Sequence, residues 1–256
     1  MRKMAFTLAE TLIVLTSLGV IAAVTIPGII HNIQDRQAIT RVKLAYSIIQ
    51  KALDIATVEM GPIETWDWPG SSQNLNSIQI GSYFARKMKP YINYTRYGDG
   101  GSTGCFNYGW INKTTHSDKV VWPTKSFPKG LNGELAGVGN GLDPQAASCF
   151  VLKNGIRISF DGEGNYPNGW YNTGTIITAM VDINGPKKPN RDGYDIFYFD
   201  IHRTKGLQLR RIANNKNTSA ACYKDSTANE SGQNCSTWVL KHNNMDYKYR
   251  DVTNEW

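Results

Sequence analysis

The hydrophobic pattern changes character twice along this chain. From Phe6 to Ile30 apolar and small residues follow one another on all sides, and Glu10 is the one ionisable group among them. The uncharged stretch from Thr11 to Ile30 is about 20 residues, enough for a helix to cross a hydrocarbon core of roughly 30 Å. A carboxylate in such a segment is costly and calls for a reason. Beyond it, Ile39, Val42, Tyr46, Ile49, Leu53, Ala56 and Met60 recur at alternating spacings of three and four, with Asp35, Arg36, Arg41, Lys43, Lys51 and Asp54 largely off that line. This is one apolar seam on a helix that continues the first, to be stopped by Gly61-Pro62. Pro27-Gly28 predicts a loosening or kink, or else two separate helices. At about 1.5 Å per residue, an unbroken helix from Phe6 to Met60 would be a rod of roughly 80 Å.

From Gly61 to about Ser148 the chain is rich in Gly, Pro, Asn and Ser, and Tyr94–Gly104 and Gly137–Gly141 read as loops. Ile78 to Lys89 predicts a short helix, stopped by Pro90. A period of two then takes over. Cys149–Lys153 and Ile156–Phe160 flank Asn154-Gly155, a two-residue hairpin turn signal. Thr175–Ile183, Tyr194–Ile201 and Leu207–Ile212 read as three further strands, the second alternating only imperfectly. The expected class is α+β: a long N-terminal helix, transmembrane and then amphipathic, packed on a C-terminal antiparallel sheet so that seam and sheet face are buried together.

At 256 residues, with 19% charged and 41% hydrophobic, the chain has room for one folded core beyond the helix. Its formal charge of +7 suits contact with DNA or an anionic membrane. Its Lys and Arg are scattered without a dense run, so nucleic acid is not the expected partner. Arg2 and Lys3 before the apolar run and Arg36, Arg41 and Lys43 after it leave the positive-inside comparison nearly tied. Cys105, Cys149, Cys222 and Cys235 include no C-x-x-C pair, which points away from a zinc knuckle or a thioredoxin-type site. Paired in an oxidising compartment, they allow three connectivities. The short-loop choice is Cys222–Cys235 with Cys105–Cys149, and four free thiols are the alternative.

A basic residue pair, a small residue, then Phe6-Thr7-Leu8-Ala9-Glu10 and the long apolar run resembles the N-terminus of type IV pilins and type II secretion pseudopilins. An ordinary secretory signal would place its small residue after the apolar core, whereas Ala5 precedes it. The matching features are Ala5-Phe6 as scissile pair, Glu10 as fifth mature residue and Pro27. Ala5 in place of Gly, Ala9 in place of a larger aliphatic and Thr11 in place of Leu are departures.

The resemblance implies a leader over 1–5, a transmembrane helix over 6–30, an amphipathic helix over 31–60 and a globular head over 61–256. It implies cutting by a prepilin peptidase, N-methylation of the new amine and pairing of Glu10 with such an amine. A disulfide-bounded region near the C-terminus also fits it. The implied partners are copies of the chain, other pilin-like subunits, the peptidase, an inner-membrane assembly platform and membrane lipid. The implied place is the bacterial inner membrane, with the head periplasmic or outside the cell. The expected function is a structural subunit of an extracytoplasmic helical filament, first a type II secretion pseudopilin, alternatively a type IV pilus or DNA-uptake pilin. A membrane-anchored surface ligand-binding domain is the reading from another class.

One further cluster carries potential chemistry. Asp182, Asn184, Asn190, Asp192 and Asp195 lie between two expected strands, with glycines among them. Oxygen donors around sharp turns suit Ca²⁺, and the same residues suit a wide Asx-rich turn without an ion. Trp66, Trp68, Trp110, Trp122 and Trp170 sit in loop-like segments, as glycan-binding aromatics or as core anchors. The histidines are isolated and no nucleophile elbow occurs, so the expectation is not an enzyme.

Overall fold

The computed structural model describes residues 7–68, 77–99, 148–162, 175–187, 189–210, 222–223, 232–252 and 255. Helix α1, Leu8–Met60, runs unbroken for 53 residues with Pro27 inside it. Pro27 therefore does not divide the helix in two: it withholds one backbone donor, and the turns on either side carry the helix past it. The expected seam is buried at Ile39, Val42, Ile49, Leu53 and Ala56, widened by Ala45 and Ala52. Tyr46 and Met60 pack against the same core from its margin. Ala45 and Ala52 are both small, and beside them Tyr46 meets Phe199 edge-on at 5.5 Å between ring centroids.

Gly61 ends α1 with φ of 82°, a left-handed value that glycine adopts readily. A 3₁₀ turn, Ile63–Thr65, follows. Trp66 and Trp68 are buried beside it, stacked on Phe84, and their indole N–H groups donate to Gly61 O and Ile63 O. These two tryptophans anchor the chain where it leaves the helix and are not presented to a glycan; Trp110, Trp122 and Trp170 lie outside the described residues. Helix α2, Ser77–Met88, falls where it was expected.

The sheet has six strands in sequential order: β1 (Arg96–Gly98), β2 (Cys149–Val151), β3 (Arg157–Gly162), β4 (Thr175–Asp182), β5 (Ile196–His202) and β6 (Gly206–Gln208), every neighbour antiparallel. β1 lies in a segment read as loop; three residues are too few for a period-two signal, and pairing with β2 imposes the strand. The β2–β3 turn differs from a two-residue turn. Gly155 alone takes positive φ, 83°, and Leu152 N donates to Ile156 O across three turn residues, the glycine-bulge form of hairpin. Helix α3, Cys235–His242, was not foreseen; eight residues beginning at a cysteine give little periodic signal.

Ile158, Phe160, Ile177, Ala179, Val181, Phe197, Phe199 and Ile201 form the sheet face shared with the α1 seam. The opposite face is buried too: Cys149, Met180, Ile196 and Tyr198 form a second cluster, with Ser159, Asp161, Thr178 and Asp182 also buried. Coverage on both sides explains why β5 alternates imperfectly in sequence. α3 packs with the α1 side of the sheet, its Cys235, Trp238 and Val239 joining that core, and its Ser236 Oγ donates to Tyr198 O at 2.5 Å. On the first face α2 crosses β3 so closely that a Cβ at Gly81 would stand 2.2 Å from Phe160 O. Gly81→Ala is therefore expected to lower stability by about 1–3 kcal/mol through overpacking, read as a reduced midpoint in denaturant melts of detergent-solubilised protein.

Candidate functional site

The start of α1 is built as a capping box. Thr7 is the N-cap; its backbone N and Oγ1 both donate to Glu10 Oε2, at 2.8 and 2.9 Å, and Glu10 N donates back to Thr7 Oγ1 at 3.3 Å. Reciprocal caps of this kind satisfy helix N–H groups that have no partner within the helix. The T-x-x-E spacing at Thr7 and Glu10 is the sequence signal for it. Ala5 and Phe6 lie outside the described residues. Among the described residues Glu10 Oε1 accepts no hydrogen bond.

Above Glu10 the helix is bare. Leu12, Leu15, Val20, Val24 and Ile29 are each more than half exposed in the isolated chain, and the segment is long and apolar enough to span a bilayer. Its hydroxyls are turned inward on the helix: Thr11 Oγ1 donates to Leu8 O at 2.8 Å, Ser17 Oγ to Ile13 O at 2.8 Å and Thr25 Oγ1 to Ile21 O at 2.9 Å. Such back-bonding satisfies polar groups where no water is available.

At the far end of the bare segment the head is fastened to the helix. Asp35 accepts from Lys248 Nζ at 2.5 Å and from Tyr249 OH at 2.8 Å, both in the C-terminal segment after α3. One turn and a half further on, Arg41 Nη1 donates to Ile183 O at 2.6 Å. The segment holding Lys248 is positioned by the fully buried Tyr247, whose hydroxyl donates to Gly193 O at 2.6 Å. Burial holds that phenol well above its ordinary pKa. Cys222 and Cys235 are disulfide-bonded, closing the short loop that precedes α3. Cys149 is also disulfide-bonded, and Cys105 lies outside the described residues.

The Asp182–Asp195 loop brings its five named residues together as a hydrogen-bonded turn. Asp182 Oδ1 accepts from the backbone N of Asn184 (3.0 Å) and Gly185 (2.8 Å), an Asx turn. Asp195 Oδ2 accepts from Asn190 N at 2.8 Å and Asn184 Nδ2 at 3.0 Å, and its Oδ1 from Arg191 N at 2.6 Å. Asp192 Oδ1 accepts from Tyr198 OH at 2.9 Å. Asn190 (φ 50°), Gly185 (φ 70°) and Gly193 (φ 71°) supply the left-handed corners. N–H and O–H donors thus take several of the oxygens that a calcium cage would use, while Asn190 Oδ1 is buried and accepts no hydrogen bond among the described residues. Among the described residues no three His, Cys, Asp or Glu side chains gather as a metal-ligand group. These bonds make the loop an Asx turn supported by its own donors.

Burial raises the Asp195 carboxyl above its ordinary value, against the lowering effect of its N–H donors. Burial also raises Asp200, partly offset by Arg210 and Thr178.

Compared with known protein families, with curated proteins and with solved structures, the chain matches none of them.

Two outcomes follow for the loop. Asp195 binds its proton more tightly in the folded than in the unfolded chain. Its stabilising contribution is therefore complete below the ordinary aspartate range and lost as pH rises through the raised folded value. Stability of the wild type relative to Asp195→Asn should accordingly rise as pH falls from neutrality towards the carboxylate range, read from urea midpoints along a pH series. Excess Ca²⁺ or its chelator should leave the melting temperature unmoved; a calcium-dependent rise would return the ion to this loop.

Proposed function

We propose that this chain is a pilin-like structural subunit, held in the bacterial inner membrane and built into an extracytoplasmic helical filament. A type II secretion pseudopilin is the first choice of machine, and a type IV pilus or DNA-uptake pilin the second. In this reading it has no catalytic role. A prepilin peptidase cuts between Ala5 and Phe6, the new amine is methylated, and an assembly platform lifts the subunit from the bilayer among its copies.

The observation that supports this most is the division of α1, bare and apolar on every side through its first half and fastened to a folded head along one stripe of its second. Such a rod must be covered by lipid or by copies of itself. At about 25 cal/mol per Å² of apolar surface, leaving it in water is strongly unfavourable, and exchanging lipid for neighbouring helices costs little. In that exchange apolar contacts carry no register, and Glu10 supplies one.

Cutting before Phe6 would place an α-amine beside the Thr7–Glu10 cap, and the carboxylate could then pair with the amine of its own or a neighbouring protomer. Removing one member of a buried pair leaves the other uncompensated, typically at about 3–5 kcal/mol. Glu10→Leu is therefore expected to leave insertion and leader removal intact and to abolish incorporation into filaments, scored by shearing and immunoblotting. Normal filament yield from this variant would overturn the assembly role and favour a membrane-anchored surface domain. Mass spectrometry of the mature protein should find an N-terminus at Phe6; an uncut Met1 or a cut after Ala23 would discard the processing class.

A further inference from the structure

Taking α1 as membrane-spanning, as in the reading above, fixes the height at which the head begins. The uncharged run ends at Ile30 and the first carboxylate beyond it is Asp35, about 7 Å further along the helix axis. The headgroup layer outside the hydrocarbon core is itself about 5–7 Å thick on each side. The head does not stand off from that layer. Lys248 and Tyr249 are bonded to Asp35 itself, and the loop after β4 is bonded to Arg41. Between the helix and this loop lies an open cleft of about 350 Å³, lined by Asp35, Arg41, Asn184, Lys187, Tyr194 and Lys248 among others.

The base carries charges of both signs. Asp35 is paired with Lys248, Asp246 and Glu255 share Arg250, and the buried carboxylates of Asp182, Asp192 and Asp195 are turned into N–H and O–H donors, away from the surface. Asp251 is a further exposed carboxylate. Against it stand Arg36, Arg41 and Lys187, all exposed and without a carboxylate in ion-pair reach among the described residues. Arg191 lies 4.4 Å over the Tyr194 ring beside them. Tyr249 is 52% exposed although its hydroxyl is bound to Asp35. Amphipathic rings held at a membrane–water boundary behave in this way, and long basic side chains reach the phosphates from the same level.

We propose that the base of the head is a docking surface for anionic phospholipid headgroups, with Arg36, Arg41 and Lys187 meeting the phosphates and Tyr249 seated at the boundary. The surface holds the head upright on the bilayer while the subunit awaits assembly, and its grip weakens with salt because it rests on exposed charge.

The full chain placed in nanodiscs of phosphatidylcholine, with or without a minority of phosphatidylglycerol, tests this by hydrogen exchange. Amides of 183–187 and 246–250 should exchange about fivefold more slowly in the anionic discs. High salt should remove the difference, as should Arg36→Glu combined with Lys187→Glu. Unchanged protection of β4 and β5 in that variant shows that it is folded. Equal exchange in the two lipids, with the chain inserted, overturns the docking surface and leaves the spanning reading standing. The same protection from soluble glycerophosphoglycerol added to neutral discs also overturns it, since the site would then bind a free phosphodiester. A chain that enters neither disc overturns the spanning reading, and the docking surface falls with it.

Discussion

One stripe of α1, from Ile39 to Ala56, is buried against the sheet for roughly 25 Å of helix length. The same helix, continued towards its start without a break, is exposed and unpacked among the described residues. Because the two halves are a single rod, whatever surrounds the bare half sets the position of the head. Several of the constraints described above act on that rod. Thr7 and Glu10 close its start, the Asp35 and Arg41 contacts clamp its middle, and Gly61 with the two tryptophans turns the chain away at its end. A helix of this length would be marginal as an isolated peptide in its polar half, and packing of the seam supplies what propensity does not.

Much of this was legible in the sequence. The seam could be read because a helix repeats every 3.6 residues, and all but its flanks sit in the core. The five strands from β2 to β6 were legible and bounded to within a few residues, since Val, Ile, Phe and Tyr cluster between turn-forming residues. What could not be read was of two kinds. β1 and α3 are too short to carry a period, and their conformation is imposed by partners distant in sequence. The second buried face of the sheet was hidden because Ser159, Asp161, Thr178 and Asp182 are polar residues at covered positions, and a sequence pattern takes polar to mean exposed.

The candidate sites divide along the same line. Glu10 stands out because a carboxylate in an apolar run is anomalous, while its partner Thr7 is an ordinary residue marked only by the T-x-x-E spacing. The Asp182–Asp195 loop stood out by composition. What composition could not say is where each oxygen points, and the answer lies in backbone corners at Gly185, Asn190 and Gly193 that aim N–H groups inward. The fasteners between head and helix were invisible for a different reason. Asp35 and Lys248 are separated by 213 positions, and nothing local in either segment marks it as one half of a contact.

That separation orders events during biosynthesis. The apolar half of α1 leaves the ribosome early and can enter lipid while the sheet is still being made, since it needs no contact from later in the chain. Lys248 and Tyr249 emerge more than two hundred residues afterwards, and only then can the lower edge of the head close on the rod. In the membrane-anchored reading proposed above, the growing polypeptide is until that moment a tethered, half-dressed anchor, and an interrupted translation product would keep its grip on the membrane while lacking its clasp.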